Sequence, residues 1–339
     1  MPTSTTPLPT HRLGATGPEV SALGLGLMGM SDVYGPADEA EGIATVHAAL
    51  EAGVTLLDTG DFYGMGHNEL LLREALKSRT RDNAVISVKF GALRDPDGGW
   101  SGHDNSPAAV KNFVAYSLRR LGTDHIDIYR PARLDPKVPI EDTVGAIADL
   151  VRAGHVRHIG LSEVGAETLR RAQAVHPIVD LQIEYSLISR GIEEEILPTA
   201  RELGVGITAY GVLSRGLISG HWHPNRQLTG QDFRTRSPRF QGDNLHRNLS
   251  LVEALRAVAE AKNATVAQTA IAWVAAQGTD IVPLIGARTR TRLTEALGAT
   301  TLVLTPTDLA AIEIAIPPGA ASGARYATPL MDDLDSERQ

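Results

Sequence analysis

Short apolar runs bounded by glycine and polar residues recur along the chain: Ala22 to Met28, Val54 to Asp58, Ala84 to Lys89, His125 to Tyr129, Val156 to Ser162, Val179 to Tyr185, Val205 to Tyr210 and Asp280 to Ile285. Their length and their content of β-branched residues suit buried strands. Between them, apolar positions repeat at helical spacing. The clearest case starts at Ser106 and Pro107, an N-cap and first-turn pair, runs through Val110, Phe113, Val114, Ser117, Leu118 and Leu121, and stops at Gly122. Gly53, Gly154, Gly204 and Gly278 punctuate the chain in the same way. Short loops joining strand to helix to strand enforce parallel pairing with right-handed crossovers. Eight such units predict an α/β fold, the closed (β/α)8 TIM barrel.

No linker or shift in composition interrupts the series, so residues 11–320 are expected to form one barrel domain, with residues 1–10 a flexible arm and residues 321–339 a C-terminal tail. His11 to Ser21 reads as an N-terminal β-hairpin. Two connections are long, Gly91 to Asn105 and Gly220 to Asn248. At the C-terminal face of a barrel such loops form substrate or cofactor walls, and the second is a candidate lid.

Composition narrows the function. Of 339 residues 42% are hydrophobic and 21% charged, enough for a large core and too ordered a mixture for general disorder. The net charge of -8, without a long basic run, makes nucleic acid a poor partner. With no cysteine, thiolate metal sites, iron–sulfur clusters and a cysteine nucleophile are excluded. No apolar run reaches membrane-span length and the start lacks the pattern of a signal peptide, so a cytoplasmic location is expected, with no membrane partner.

In such a barrel, polar groups at the C-terminal ends of strands converge on one site. The second run ends at Asp58 and leads into Tyr63, and the third ends at Lys89. A carboxylate, a phenol and an amine on neighbouring strand ends can form a proton-transfer group, in which the lysine cation favours the phenolate and the aspartate holds the lysine. Spacing alone equally allows a structural ion pair with Tyr63 packed in a turn.

The order of motifs resembles the aldo-keto reductase superfamily: LGLGLMGMSDVYG from Leu23, LLDTGDFYGMGHNELLLREAL from Leu56, VISVKFG from Val85, HIGLSEVG from His158, DLQIEYSL from Asp180, ITAYGVLSRGLISG from Ile207 and LIGARTRTRLTEALG from Leu284. The resemblance implies that Asp58, Tyr63 and Lys89 are three of four catalytic residues. The fourth is a histidine in the family, where this chain reads DIYRPARLDP from Asp127 and places Ala132. That departure is similar to a pyridoxal-reductase-like branch. An imidazole there would donate to the substrate carbonyl, and one such donor can be worth roughly 10²–10³ in rate. Trp100 and His103 in the first long loop are candidates to reach the substrate pocket beside Ala132; Arg133 suits either an anionic substrate group or the solvent.

The resemblance further implies that Ser162, Glu163 and Gln182 lie at the nicotinamide carboxamide and that Tyr210 stacks on the ring, although many members carry asparagine where Glu163 stands. The turn Gly211, Leu213, Ser214, Arg215, Gly216 matches a pyrophosphate loop, whose glycines let backbone donors approach the phosphates. Gly286, Arg288, Arg290 and Arg292 precede Glu295 at a predicted helix start, and bidentate guanidinium geometry suits the 2′-phosphate of NADP(H). Ala296 stands in place of an asparagine often used for adenine. Two patterns are discounted. Gly24, Gly26 and Gly29 spell GxGxxG without a helix directly following, and His221 and His223 lack a third ligand, so no metal is assigned. The expected function is NADP-dependent reduction of a small aldehyde or ketone with Tyr63 as general acid. The alternative is an NADP(H)-binding sensor or partner subunit with little turnover, motivated by the missing histidine. The oligomeric state is not legible.

Overall fold

The computed structural model describes residues 8–31, 33–77, 79–228, 230 and 232–338. Most of the expected N-terminal arm therefore lies outside the described residues. The chain opens with an antiparallel hairpin, β1 (Thr10–Arg12) and β2 (Glu19–Ser21), in which Thr10 faces Ser21. The series continues with β3 (Gly24–Gly26), α1 (Glu39–Glu51), β4 (Leu56–Gly60), α2 (His67–Leu76) and β5 (Val85–Phe90). A second hairpin, β6 (Ala92–Arg94) and β7 (Trp100–His103), precedes α3 (Pro107–Leu121), β8 (Ile126–Pro131), α4 (Ile140–Arg152), β9 (Val156–Ser162) and α5 (Ala166–Val175). Then follow β10 (Ile178–Glu184), α6 (Ile196–Leu203), β11 (Gly206–Tyr210), α7 (Gly242–Ala261), α8 (Val266–Ala275), β12 (Ile281–Gly286), α9 (Arg290–Leu297), α10 (Pro306–Ala315) and α11 (Thr328–Asp332).

The strands β3, β4, β5, β8, β9, β10, β11 and β12 pair in parallel in that order, and β12 closes on β3 with Leu284 opposite Gly24. This is the (β/α)8 barrel. Local chemistry sets the helix ends where the pattern put them. In α3 the Ser106 hydroxyl accepts from the Ala109 amide, Pro107 occupies the first turn, and Gly122 closes the helix at φ 68°. The long connections are more ordered than their sequence suggested. The first folds into the β6–β7 hairpin, and α7 begins at Gly242, inside the second. Among the described residues, no helix is long and apolar enough to cross a membrane.

Alternation along the strands divides the barrel interior into layers. At the end where strands begin, Leu13 and Val20 of the hairpin pack with Leu56, Ile128, Val179 and Val282 into an apolar floor. Two residues further along, the inward positions turn polar. Arg130 donates to Asp180 at 3.0 Å and to the Ser87 hydroxyl at 2.9 Å; Ser87 in turn donates to Asp58 at 2.8 Å. Thr208 also donates to Asp180. These side chains are all buried, and a buried charge survives only when paired and hydrogen-bonded. The layer links β4, β5, β8, β10 and β11 across the barrel axis.

Gly160 on β9 makes room for it, since a Cβ there would stand 2.5 Å from Asp180 Oδ1 and 3.2 Å from Arg130 Cζ. Gly160→Ala is therefore expected to destabilise the fold by roughly 1–3 kcal/mol, as overpacking does. Urea unfolding would read this as a lowered midpoint at unchanged slope; an unchanged midpoint would show that the ion pair can shift aside.

Candidate active site

Asp58 belongs to this polar layer and meets Lys89, which lies one inward position further along the adjacent strand. Lys89 donates to Asp58 Oδ1, while Ser87 and Gln182 Nε2 donate to Oδ2, each at 2.8 Å. Gln182, expected at a cofactor contact, thus also anchors Asp58. The chain leaving β4 turns sharply at Tyr63, with Gly64, Met65 and Gly66 all at positive φ (54°, 54° and 97°). Two of the three are glycines, which take this conformation without steric cost. The Tyr63 ring lies 5.1 Å from Lys89 Nζ and edge-on to Phe62 at 4.9 Å.

Burial, followed by the charge of Asp58, pushes the Tyr63 phenol well above its usual value. This corrects the expectation that Lys89 would lower it. The lysine charge is already matched by Asp58, and the desolvated ring disfavours the phenolate. Lys89 itself is lowered, chiefly by burial, with Asp58 opposing.

Ala132 is buried directly past β8, and its amide donates to the Phe90 carbonyl at 2.8 Å, so it continues the pairing with β5 beyond Pro131. Arg133 is half-buried. Its backbone carbonyl accepts from Asn105 Nδ2 at 2.8 Å and its guanidinium folds back onto the Ala132 carbonyl at 2.6 Å. The β6–β7 hairpin brings Trp100 to the same rim. It is 56% exposed, edge-on to Phe62 at 5.6 Å and covered by the Arg94 guanidinium at 4.4 Å. His103 is half-buried opposite Ala92 and is lowered by burial and then by the Arg133 charge. The loop residues and the strand-end residues therefore share one mouth.

On the other side, Ser162 is buried and its hydroxyl has no partner among the described residues. Glu163, at φ 54°, is fully engaged inside the protein. It accepts from Arg325 (2.9 and 2.7 Å), Ser336 (2.6 Å), the Tyr210 hydroxyl (2.6 Å) and the Glu184 amide (3.0 Å). Burial alone would raise this carboxyl, but the Arg325 charge and hydrogen bonds outweigh it and hold the group far below the carboxylate range. Tyr210 also contacts the Tyr326 hydroxyl at 3.0 Å.

The turn Gly211 to Gly216 has left-handed backbone at Gly211, Ser214, Arg215 and Gly216, while Leu213 caps its start. Arg215 pairs with Glu184 at 3.1 Å under the Tyr326 ring. Gly286, the last residue of β12, is exposed, and past it Arg288 donates to the carbonyls of Tyr34, Gly35 and Pro36 at 3.2–3.4 Å. Arg290 forks onto Glu41, and Arg292 pairs with Glu295 at 3.0 Å. Glu295 is also 2.8 Å from His221, so that histidine has a carboxylate partner; among the described residues no group of three or more metal-ligating side chains converges.

Several members of this site carried no sequence expectation. Ser87, Arg130, Asp180 and Thr208 were detectable as polar residues at every second position of otherwise apolar strands. Arg325, Tyr326 and Ser336 were not, because they reach the site from a segment more than a hundred residues away in the chain.

A parallel barrel with a lysine–aspartate pair and a tyrosine at its C-terminal mouth defines a class of oxidoreductase, and comparison with known proteins agrees. The model of the aldo/keto reductase family matches residues 22–317. A protein of Glycine max named probable aldo-keto reductase 1 is 43% identical over 318 residues, covering 93% of this chain and 91% of that one. Among solved structures, the glycerol dehydrogenase AKR11B4 from Gluconobacter oxydans superposes with a TM-score of 0.82 at 26% identity, covering 97% of each chain. The aldo-keto reductase AKR11C1 from Bacillus halodurans, in its holo form, does so with a TM-score of 0.76 at 27% identity, covering 94% of this chain and all of that one. The chain belongs to the aldo/keto reductase family. It is an oxidoreductase acting on carbonyl groups.

The Glu163–Arg325 pair has a direct thermodynamic consequence. Replacing Arg325 with Met strands a buried carboxylate and should cost roughly 3–5 kcal/mol near neutral pH. Because the folded-state value of Glu163 is depressed, the stabilisation is full above the unfolded value of about 4.3 and is lost as pH falls through the depressed folded value. Denaturation of both proteins across pH should show the gap narrowing only in acid; a pH-independent gap would assign the loss to packing.

Proposed function

We propose that this protein is an NADP(H)-dependent reductase that converts a small aldehyde or ketone to the alcohol, with Tyr63 as the acid. The observation that carries this reading is the buried Asp58–Lys89 pair set beneath Tyr63 at an open barrel mouth. When bound, the dinucleotide supplies the hydride. Tyr63 delivers a proton to the oxygen of the carbonyl as charge develops there, and its raised value keeps the phenol protonated until then. Lys89, fixed by Asp58, places a positive charge beside that oxygen and the tyrosine.

The residues around the barrel mouth fit a dinucleotide. Ser162 offers a buried hydroxyl without a partner among the described residues, suited to the carboxamide, and the Tyr210 ring, held by its hydroxyl to Glu163, suits stacking. The left-handed turn through Ser214 and Arg215 suits the pyrophosphate, and Arg288 has donors facing only carbonyls, suited to a 2′-phosphate. Glu163 does not fit a carboxamide contact, since both its oxygens are taken. The holo form in which AKR11C1 was solved supports a cofactor in this family, and the arginine favours NADP(H) over NAD(H).

Ala132 offers no imidazole to the carbonyl, which favours a second reading, an NADP(H)-binding protein with little turnover. Following NADPH oxidation against a panel of aldehydes and ketones decides between them. Wild type should turn over at least one carbonyl and Tyr63→Phe should be slower by about 10²–10⁴-fold while still binding NADPH. Tight NADPH binding with no turnover of any carbonyl would favour the sensor. Separately, Arg288→Met should raise KM for NADPH by roughly tenfold with little change for NADH, the loss of a charged contact to a phosphate; equal effects on both would remove the 2′-phosphate assignment.

A further inference from the structure

The enclosed arginines around the barrel mouth have carboxylate partners: Arg130 with Asp180, Arg215 with Glu184, Arg234 with Asp232, Arg325 with Glu163. Arg133 differs. It is half-buried, and its guanidinium has no carboxylate within ion-pair distance among the described residues; its hydrogen bond goes to the carbonyl of its own neighbour, Ala132. The carboxylate that acts on it, Glu163, is already paired with Arg325. Its backbone carbonyl accepts from Asn105 Nδ2, and its side chain folds back onto the carbonyl of the small Ala132 that follows β8. Its charge acts on Tyr63, Lys89 and His103 on one side and on Glu163 on the other. A guanidinium with free donors in a partly desolvated pocket is a receptor for a carboxylate or phosphate.

We propose that Arg133 recognises an anionic group on the substrate, so that the site selects carbonyl compounds carrying a carboxylate or phosphate over neutral ones. This rests on the reductase reading above. Ala132 and Arg133 then act together: the missing imidazole opens the volume, and the adjacent cation determines which substrates fill it.

The test compares matched pairs: 4-carboxybenzaldehyde with 4-methylbenzaldehyde, and glyceraldehyde 3-phosphate with glyceraldehyde, each with NADPH. For at least one pair, kcat/KM should favour the anion by roughly tenfold or more, mainly through KM, and the pair that does so identifies carboxylate or phosphate as the group recognised. In Arg133→Met that preference ratio should fall by roughly 10- to 100-fold, with Arg133→Lys in between. A ratio near one in wild type for both pairs overturns the proposal. So does a variant that slows charged and neutral members equally, which would make Arg133 a donor to the carbonyl itself. A measurement on wild type alone covers the case in which the variants fail to fold: 4-methylbenzoate should compete with the aldehyde, and 4-methylbenzamide should not. If no carbonyl is turned over, the reductase reading fails. Calorimetric binding of 4-methylbenzoate, lost in Arg133→Met, would then still uphold the anion site, and its absence would remove it.

Discussion

A carboxylate buried inside a barrel governs this structure. Asp58 is almost wholly enclosed, and an ionised group in that position is tolerated only if its oxygens are matched by donors. Lys89, Ser87 and Gln182 supply them from β5 and β10, so the need of one side chain couples three strands across the axis. Ser87 passes the linkage to Arg130 and Asp180, and Asp180 to Thr208. Where most barrels of this kind fill the middle layers with branched apolar side chains, this one has a hydrogen-bonded polar plate resting on an apolar floor. These bonds cross-link the plate, while Asp180 Oδ1 and Arg130 Nε have no partner among the described residues. Through Asp58 the plate holds the Lys89 ammonium beneath the tyrosine.

A second buried carboxylate does comparable work at the rim. Glu163 sits at the end of β9 in left-handed backbone, and it draws Arg325, Ser336 and Tyr210 onto itself. Through Arg325 the C-terminal segment is held against the barrel mouth, and Tyr326 is placed over Arg215 of the left-handed turn. The site is therefore walled on one side by the β6–β7 hairpin and on the other by the chain's last residues. Between these walls, Arg133 is half-buried and makes no ion pair with a carboxylate among the described residues.

The strand series, the capped α3 and the N-terminal hairpin were legible because their causes are local: apolar runs of strand length, a serine–proline start, a glycine stop. Asp58, Tyr63 and Lys89 were legible as strand-end residues once the barrel was inferred. The β6–β7 hairpin was missed because its sequence, rich in glycine and polar residues, lacks an apolar face; its position against Phe62 and Asn105 supports it. The direction of the tyrosine's shift was missed for a different reason, since a neighbouring lysine is visible in a motif but the water removed from around the phenol is not.

Periodicity and punctuation, read from the chain alone, determine a parallel (β/α)8 barrel and the strand ends that bear its chemistry, because backbone pairing and side-chain alternation depend on near neighbours. Only the tertiary structure decides which charges find partners. Glu163 and Arg325 are far apart in sequence and in contact in space, whereas Arg133 forms no ion pair with a carboxylate among the described residues. Desolvation and ion pairing depend on what the whole fold brings within a few ångströms, and no local pattern encodes that.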